Sequence, residues 1–573
     1  MLALLILSTL LYGVSFPLGS LTISLLDDRI ESGRSFDRWI ISLWVGLLLN
    51  GSALLLLSVF IPLAGQPAYL LIAIPPLGIL ACSRRIRHDF LALLLAGRQH
   101  WLSTSVFMVS AAFYHTQTIF WTDTGLYHYQ VVKWLAEYGT TPGMALLHCR
   151  LGLSSSWFTI PALFDTGPLA GRVGATTGML ALVLLIGAFI AGVCRIFEGE
   201  GRAADRFIAV AGLIALPILF KFGISISPSP DLPVIALCVF IPWTILVMQR
   251  DDTARNPAVT PIAVMLAALS VPLKISVAPM LPLTMMWYVT QRPVRAQFCL
   301  VTVLGLVLTP LLIANTVSSG CPLYPLPFCL DSSALITPEA ARAMSATIRD
   351  WARGSHGGSG DDVNGMRWII PWIGNPQNML MSLLLLLALA SLLYLLWRRN
   401  LRRHEIAIML LALVCILVVF ATAPALRFGL GYLIILPGLA AGRSAFLARI
   451  GRVRIAHAMR SSILTAFAIL FFSMMIVRPN TIQARLHNAQ PIAGIGLKAN
   501  LILPPALVHF DYELLERPGS LANAPKVARA LNFSYLLTKY CWDSPLPCAP
   551  EPIDRIVLRD YDRGLPGGFM REK

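Results

Sequence analysis

Long apolar stretches recur along this chain from Met1 to Val477, and no other feature limits its fold as strongly. A helix needs roughly 20 apolar residues to cross the hydrocarbon layer of a bilayer. Of the 573 residues, 56% are hydrophobic and only 13% are charged, whereas soluble domains have about 25% charged residues. A soluble core could not bury this much apolar surface, because single cores stop growing near ~250–300 residues. The sequence therefore predicts an all-α polytopic membrane protein.

Polar and Pro/Gly-rich breaks divide the apolar stretches into about 14 candidate transmembrane helices. They are 2–26, 39–62, 68–83, 101–121, 171–194, 207–224, 232–249, 257–273, 275–290, 298–316, 379–397, 404–421, 428–442 and 461–477. The N-terminal stretch lacks the positive region and the cleavage site of a secretory signal, so it is read as a retained first span.

The distribution of basic residues predicts the orientation of these spans. If the N-terminus lies outside, the seven inside loops hold 23 Lys and Arg, and the four short outside loops hold 2. Positive residues favour the cytoplasmic side. This topology gives a transmembrane domain 1–477 with outer loops 122–170 and 317–378. The polar segment 478–573 also lies outside, as a small α+β appendage or an irregular cover.

The same loop clusters account for the net charge of +16. A nucleic-acid partner is not expected, because the chain has no basic soluble domain or basic face with aromatic residues. No P-loop, G-x-S-x-G, H-E-x-x-H or dinucleotide-binding motif occurs in a suitable context. ATP-driven transport by this chain alone is therefore not expected.

The segment 121–158 has the densest group of candidate functional residues. A helix from Thr122 or Asp123 to about Gly139 would place Asp123, Tyr127, Gln130 and Trp134 on one stripe, with His128 beside them. An acid at the membrane boundary must be solvated, paired or functional. The alternative is that Asp123 only caps this helix. Capping does not explain the other polar and aromatic side chains, so a functional role is favoured.

Three cations are candidate substrate contacts on the same predicted outer side. Arg150 could bind a phosphate through its guanidinium, or could simply meet lipid headgroups. Lys274 and Arg427 lie at the ends of apolar stretches, where a charge is costly unless it has a function. We expect Asp123, Lys274 and Arg427 to share one pocket that opens away from the cytoplasm.

A second interfacial helix is predicted in the outer loop 317–378. Thr337, Pro338 and Glu339 form a helix start, and Gly354 follows the predicted end. Beside the glycine-rich run that follows, this helix could cover a lipid-linked substrate or act as a passive cover.

Two cysteine pairs lie in segments that are predicted to be outside. Cys321 and Cys329 bracket one Pro-rich turn, and Cys541 and Cys548 bracket another. An oxidising compartment permits disulfides there, and two structural disulfides are favoured over four free thiols. Neither pair has the additional ligands of a zinc site.

These features together resemble the GT-C class of membrane glycosyltransferases and uncharacterised bacterial multi-pass membrane proteins near that class. The resemblance is carried by the early outer-loop acid and by local strings that cover about a tenth of the chain. These are Thr122–Gln130 (TDTGLYHYQ), Trp134, Arg150–Phe158 (RLGLSSSWF), Cys321–Pro325 (CPLYP) and Arg427-Phe428.

The resemblance implies transfer of a sugar from a polyprenyl-phosphate donor to an acceptor at the periplasmic face of a bacterial inner membrane. The acceptor would be an envelope glycan, lipid or protein. Asp123 would act as catalytic base or orient the acceptor hydroxyl. The substrate-binding residues would be Tyr127, His128, Gln130, Trp134, Arg150, Lys274 and Arg427.

This chain departs from the GT-C pattern in one respect. Many members have two neighbouring acids in this loop, but Asp123 has no acidic neighbour before Glu137. A metal-independent, inverting transfer fits this departure better, no metal ligand is assigned, and a divalent cation is left open. The alternatives are a flippase-like transporter and a polymerase or ligase of lipid-linked saccharides.

Overall fold

The computed structural model is mainly helical and describes most of the chain. It describes residues 1–26, 34–99, 101–117, 119, 121–249, 259–290, 294–330, 335–354, 366–398, 400–444, 502–504, 507, 526–538, 540–553 and 555–572. Over these residues there are twenty α-helices. They are α1 Leu2–Leu26, α2 Ser35–Leu57, α3 Gln66–Cys82, α4 Arg84–Gln99, α5 Trp101–Tyr114, α6 Tyr129–Glu137, α7 Met144–Leu147, α8 Thr159–Ala162, α9 Thr176–Phe197, α10 Ala203–Phe222, α11 Asp231–Val247, α12 Pro261–Ser270, α13 Met280–Val289, α14 Val294–Ser319, α15 Pro338–Arg353, α16 Ile369–Gly374, α17 Met379–Trp397, α18 Arg403–Thr422, α19 Leu426–Leu433 and α20 Ile435–Arg443.

Seven helices of the described residues are long and apolar enough to cross a membrane, or eight if the bent pair α3 and α4 forms one span. The seven lie within α1, α2, α9, α10, α14, α17 and α18. This agrees with an all-α membrane protein, but it does not confirm 14 spans. The predicted span 461–477 lies outside the described residues.

Several predicted spans are shorter helices than the sequence indicated. The predicted spans 257–273 and 275–290 correspond to α12 and α13, which have 10 residues each. The predicted span 428–442 is divided between α19 and α20. Hydropathy alone did not detect these interruptions, because mainly apolar residues surround them. Within the predicted inside loop 84–100, residues Arg84–Gln99 form a helix, α4, which turns by 107° from α3.

The centre of the bundle is α11, in which every residue from Asp231 to Val247 is buried. It packs against α9, α10, α12 and α19. All but its first residue are uncharged, so burial on every side is compatible with its sequence. The acidic Asp231 at its first position is the exception, and it requires a partner.

Helices α1 and α2 cross at very close range. A Cβ atom added to Gly19 would lie 1.8 Å from the Ser42 backbone oxygen, and one added to Gly46 would lie 1.8 Å from the Ser15 backbone oxygen. Only glycine permits such an approach, and small residues serve this purpose at helix crossings in membranes.

A buried ion-pair network marks one end of the bundle. Arg34 contacts Asp37 and Asp205 at 2.5 and 2.8 Å, and Arg195 contacts the same two carboxylates at 2.8 Å each. Because α2 and α10 begin here and α9 ends here, the loop that joins α10 to Asp231 lies at the opposite end. The two ends therefore carry separate groups of charged residues.

The helix that was predicted in the segment 317–378 is present as α15. Its first turn is capped by Thr337, whose hydroxyl accepts a hydrogen bond from the Ala340 N–H, and Gly354 follows its last residue. Both features were expected from the sequence.

The described part of the C-terminal segment contains two small sheets. Strand β2, Ser534–Leu537, pairs antiparallel with β1, Lys526–Arg529, and parallel with β3, Cys548–Ala549. Strands β4, Ile556–Leu558, and β5, Phe569–Arg571, form an antiparallel pair. Phe569 packs edge-on against Trp134, with 5.9 Å between ring centroids. This contact joins the segment to the helix that follows Asp123.

Candidate functional site

Two ion pairs from four separate elements lie at the end of the bundle opposite the Arg34 network. The Arg427 Nη1 atom is 2.5 Å from Asp123 Oδ2, and the Lys274 ammonium contacts the Asp231 carboxylate. Asp123, Lys274 and Arg427 are therefore brought together, as the sequence predicted. That these residues line a pocket opening away from the cytoplasm remains a prediction.

Local backbone structure explains how each residue reaches the site. Asp231 is the first residue of α11, and Arg427 is the second residue of α19. Lys274 has an extended backbone between α12 and the 3-10 turn Ile275–Val277. The break between α12 and α13 therefore places a lysine, whose side chain is 23% exposed, at this end of the bundle.

Aromatic rings surround the two cations. The Lys274 Nζ atom lies 4.5 Å from the centroid of the Phe428 ring. The Arg427 Cζ atom lies 4.3 Å from the centroid of Trp351, on α15, and 5.9 Å from that of Trp121. Cations over aromatic faces are stabilised by the ring quadrupole. The contact with Trp351 also connects α15 directly to the site.

Arg150 is a third cation beside Asp123. Its Nη1 atom lies 3.9 Å from Asp123 Oδ1, and its Cζ atom lies 5.9 Å from the centroid of the Tyr127 ring. Its side chain is 27% exposed, compared with 15% for Asp123. Together with Lys274 and Arg427, it gives three cations against the two carboxylates. The group therefore has an excess of one positive charge.

The surrounding charges keep Asp123 ionised. Burial acts to raise the pKa of this carboxyl, but the attraction of Arg427, its hydrogen bond and the attraction of Arg150 together hold the pKa below its usual value. His128 is 1% exposed, and burial lowers its pKa to about 4 despite the nearby Asp123 and Asp231. His128 is therefore neutral at neutral pH, so that one ring nitrogen donates a hydrogen bond and the other accepts one.

Several buried polar atoms around the ion pairs have no hydrogen-bond partner among the described residues. They are Trp121 Nε1, Thr124 Oγ1, His128 Nδ1 and Arg427 Nε. Buried polar groups normally have partners. Hydroxyl and phosphate oxygens would satisfy these atoms, so the group is chemically suited to a polar, anionic ligand.

The interpretation of Asp123 as a mere helix cap is wrong. Asp123 has helical backbone angles and makes no capping hydrogen bond with its side chain. Its carboxylate instead contacts Arg427, which is 304 positions away in the sequence.

The predicted stripe Asp123, Tyr127, Gln130 and Trp134 is also wrong. Residues Thr124–His128 form a π-helical turn, and its extra residue rotates the following α6 relative to Asp123. Gln130 donates hydrogen bonds to the Trp542 and Ser544 carbonyls at 3.0 and 3.2 Å. Trp134 is fully buried and packs on Phe569. Both residues therefore face the C-terminal segment, whereas Tyr127 and His128 remain near the ion pairs.

Asp231 was missed by the sequence analysis. The signal was present, since Asp231 begins an apolar stretch and is an acid at a membrane boundary, as Asp123 is. It supplies the second carboxylate that the loop around Asp123 lacks.

No group of three or more His, Cys, Asp or Glu residues within the described ranges could hold a metal ion.

Both cysteine pairs are joined as disulfides, Cys321–Cys329 and Cys541–Cys548. The first lies in the loop between α14 and α15, and the second closes a loop between β2 and β3. The second constrains a segment that packs on the helix after Asp123, whereas the first constrains a segment that packs against Ala145 and Cys149.

The apolar helices and the buried polar site define a multi-pass membrane protein of the all-α class. The chain belongs to the family described as Domain of unknown function (DUF8201), which matches residues 1–434. The match includes Asp123, Arg150, Asp231, Lys274 and Arg427, and it ends before the C-terminal sheets. No curated protein and no solved structure matches the chain.

Proposed function

We propose that this protein is a glycosyltransferase of the GT-C type, which transfers a sugar from a polyprenyl-phosphate donor to an acceptor at the periplasmic face of a bacterial inner membrane. The observation that carries the proposal is the pair of ion pairs, Asp123–Arg427 and Lys274–Asp231, with Arg150 beside them. The acceptor is an envelope glycan, lipid or protein. The N-terminus and the C-terminal segment lie on the periplasmic side.

The excess positive charge supports a phosphate-linked donor. The phosphodiester of a polyprenyl-phosphate sugar carries one negative charge, which balances the three cations and two carboxylates. Guanidinium groups suit phosphate oxygens because they donate two parallel hydrogen bonds. Arg427 and Arg150 are the proposed phosphate ligands, and Lys274 orients Asp231.

Asp123 is the proposed catalytic base. The acceptor hydroxyl gives its proton to Asp123 while its oxygen forms a bond to the anomeric carbon. The bond between that carbon and the phosphate oxygen breaks, and the electron pair leaves with the lipid phosphate. The cations stabilise the leaving phosphate.

A carboxylate that is paired with an arginine is a weak base, and donor binding makes Asp123 a stronger one. When the phosphate takes hydrogen bonds from Arg427, the pairing of Arg427 with Asp123 weakens. Asp123 then becomes a stronger base at the moment when a proton acceptor is needed. Tyr127 and His128 lie near the ion pairs and are the proposed contacts of the sugar.

The first prediction concerns the Asp123→Asn variant. Purified full-length protein is incubated with a labelled polyprenyl-phosphate sugar and an envelope extract as the source of acceptors. We expect transfer by the wild type and a decrease of at least ~100-fold in the variant, since the amide cannot take a proton. The measurement is the labelled product.

The matched control is Glu339→Gln, which removes an acid that is 75% exposed on α15. It should transfer sugar at the wild-type rate. Full transfer by a correctly assembled Asp123→Asn protein would contradict the proposal. Movement of the labelled donor across vesicles without a new glycosidic bond would instead favour a transporter.

A further inference from the structure

A single turn of the chain lies between the candidate site and the C-terminal segment. Asp123 directly precedes the π-helical turn Thr124–His128. On the side of the C-terminal segment, the Trp542 N–H donates a hydrogen bond to the Gly125 carbonyl at 2.9 Å. The Trp542 ring lies so close that a Cβ atom on Gly125 would be 2.4 Å from Trp542 Cε2. The ring therefore packs directly on the backbone of the turn.

Residues 541–548, here called the strap, also contact α6, the helix that follows this turn. Gln130 donates to the Trp542 and Ser544 carbonyls, and Lys133 donates to the carbonyl between them, that of Asp543, at 3.1 Å. Three successive carbonyl groups thus have partners on this helix. The disulfide Cys541–Cys548 closes the strap.

The conformation of the strap carries backbone strain at the contacting residue. Trp542 has φ of 41°, a region that L-residues other than Asn, Asp and Gly rarely occupy. Such strain persists only where surrounding contacts fix it. π-Helical turns are also rare and occur frequently at functional sites. Two unfavourable conformations therefore meet at one contact, next to Asp123.

We infer that the strap is a positioning element, which fixes the turn Thr124–His128 and thereby aims the Asp123 carboxylate at Arg427. This inference rests on the proposed function of Asp123. Among the described residues, no hydrogen bond or cation–π contact joins Trp542 to a charged group of the candidate site, so its role is to position Asp123 and not to react. Loss of the Trp542 ring releases the turn and lets it relax towards a regular α-helix.

The experiment compares Trp542→Gly with Trp542→Phe in the full-length protein. Glycine accepts the φ of 41° without strain, so the first variant removes the ring and leaves the strap backbone favourable. Phenylalanine retains a ring against Gly125. Amide hydrogen exchange is measured by mass spectrometry over residues 122–137. We expect exchange in this segment to become at least ~10-fold faster in Trp542→Gly, with most of the protection restored in Trp542→Phe.

Two further comparisons separate local release from general unfolding. The double variant Cys541→Ser/Cys548→Ser opens the strap and should also speed exchange over residues 122–137. The variant Cys321→Ser/Cys329→Ser removes the other disulfide and should not. Exchange in α1 and α2 should stay unchanged in all of them. Unchanged exchange over 122–137 in Trp542→Gly would overturn the inference, whether or not the protein transfers sugar.

The sugar-transfer assay tests the link to Asp123 separately. We expect kcat to fall by about 10- to 100-fold in Trp542→Gly with a small change of KM, because misplacement of a catalytic group affects the reacting step more than binding. Recovery of kcat in Trp542→Phe supports the positioning role, and an unchanged kcat in Trp542→Gly overturns it. If the wild type transfers no sugar while exchange responds as expected, the proposed function fails and the structural role of the strap stands.

Discussion

At the scale of single residues, each charged group of the candidate site is opposed by a group of opposite sign. Asp123 has Arg427 and Arg150, and Asp231 has Lys274. Asp231 is only 4% exposed on its side chain. Breaking a buried pair by removal of one partner leaves an uncompensated charge, which is strongly destabilising. The charged residues that are proposed to bind the substrate therefore also stabilise the folded protein.

A different buried acid, Asp165, lies in the loop between α8 and α9 and gives a prediction about pH. Asp165 Oδ1 accepts hydrogen bonds from the Tyr129 hydroxyl at 2.5 Å and from the Gly171 N–H at 2.9 Å. Burial raises the pKa of this carboxyl to about 6, although both hydrogen bonds oppose the shift and Asp543 adds to it. Its charged form is thus unfavourable in the folded protein.

The expected consequence is a loss of stability between about pH 4 and pH 6. A carboxyl whose pKa is higher in the folded than in the unfolded state holds its proton more tightly when folded. Its contribution to the free energy of unfolding therefore decreases as pH rises through this range. Asp165→Asn keeps an acceptor oxygen and has no charge. We expect the free energy of unfolding of the variant to exceed that of the wild type by about 1–3 kcal/mol between pH 4 and pH 7. Thermal unfolding in detergent at several pH values measures this difference, and parallel curves for the two proteins would contradict it.

Some residues of the site could be predicted from the sequence, and others could not. Lys274 and Arg427 were predicted because a charge in an apolar stretch is costly and therefore conspicuous. Gln130 and Trp134 were placed on the wrong face because regular α-helical spacing was assumed across Thr124–His128. A π-helical turn depends on tertiary contacts, here with Trp542, which no local pattern in the sequence reveals.

At the scale of elements, the interruptions of helices are as informative as the helices. The break between α12 and α13 exposes Lys274 to the site, and α19 carries Arg427 at its start. The sequence predicted apolar spans at both places. It did not predict how short the helices are, because the residues around each break are mainly apolar and hydropathy varies little across them.

The close crossing of α1 and α2 gives a prediction at this scale. Gly46→Ala would place its Cβ atom 1.8 Å from the Ser15 backbone oxygen, whereas Gly13→Ala on α1 meets nothing within 4 Å. We expect Gly46→Ala to destabilise the protein by at least about 2 kcal/mol, since the two backbones must separate. Gly13→Ala should be neutral or slightly stabilising, because alanine favours a helix more than glycine does.

Thermal unfolding of the two variants in the same detergent measures this difference. Equal stability of Gly46→Ala and Gly13→Ala would show that the two helices are not packed as described. The approach of α1 to α2 could not be derived from the sequence alone, since it depends on which residues of the two helices meet.

At the scale of the whole molecule, two separate groups of ion pairs occupy opposite ends of the bundle. The Arg34–Asp205 pair and its neighbours join the ends of α2, α9 and α10, where Arg195, Arg202 and Arg206 also lie. By the positive-inside rule, we propose that this end faces the cytoplasm. The Asp123 site at the other end is accordingly proposed to face the periplasm.

The proposed function depends above all on binding of a lipid-linked phosphate at the positively charged site. The most direct test measures binding of polyprenyl phosphate and of uncharged polyprenol to the full-length protein in nanodiscs. We expect the phosphate to bind at least ~10-fold more tightly than the alcohol. Arg427→Gln should remove this preference, while the exposed Arg342→Gln on α15 should keep it. Equal binding of the two lipids by the wild type, or an undiminished preference in a correctly assembled Arg427→Gln protein, would contradict the account.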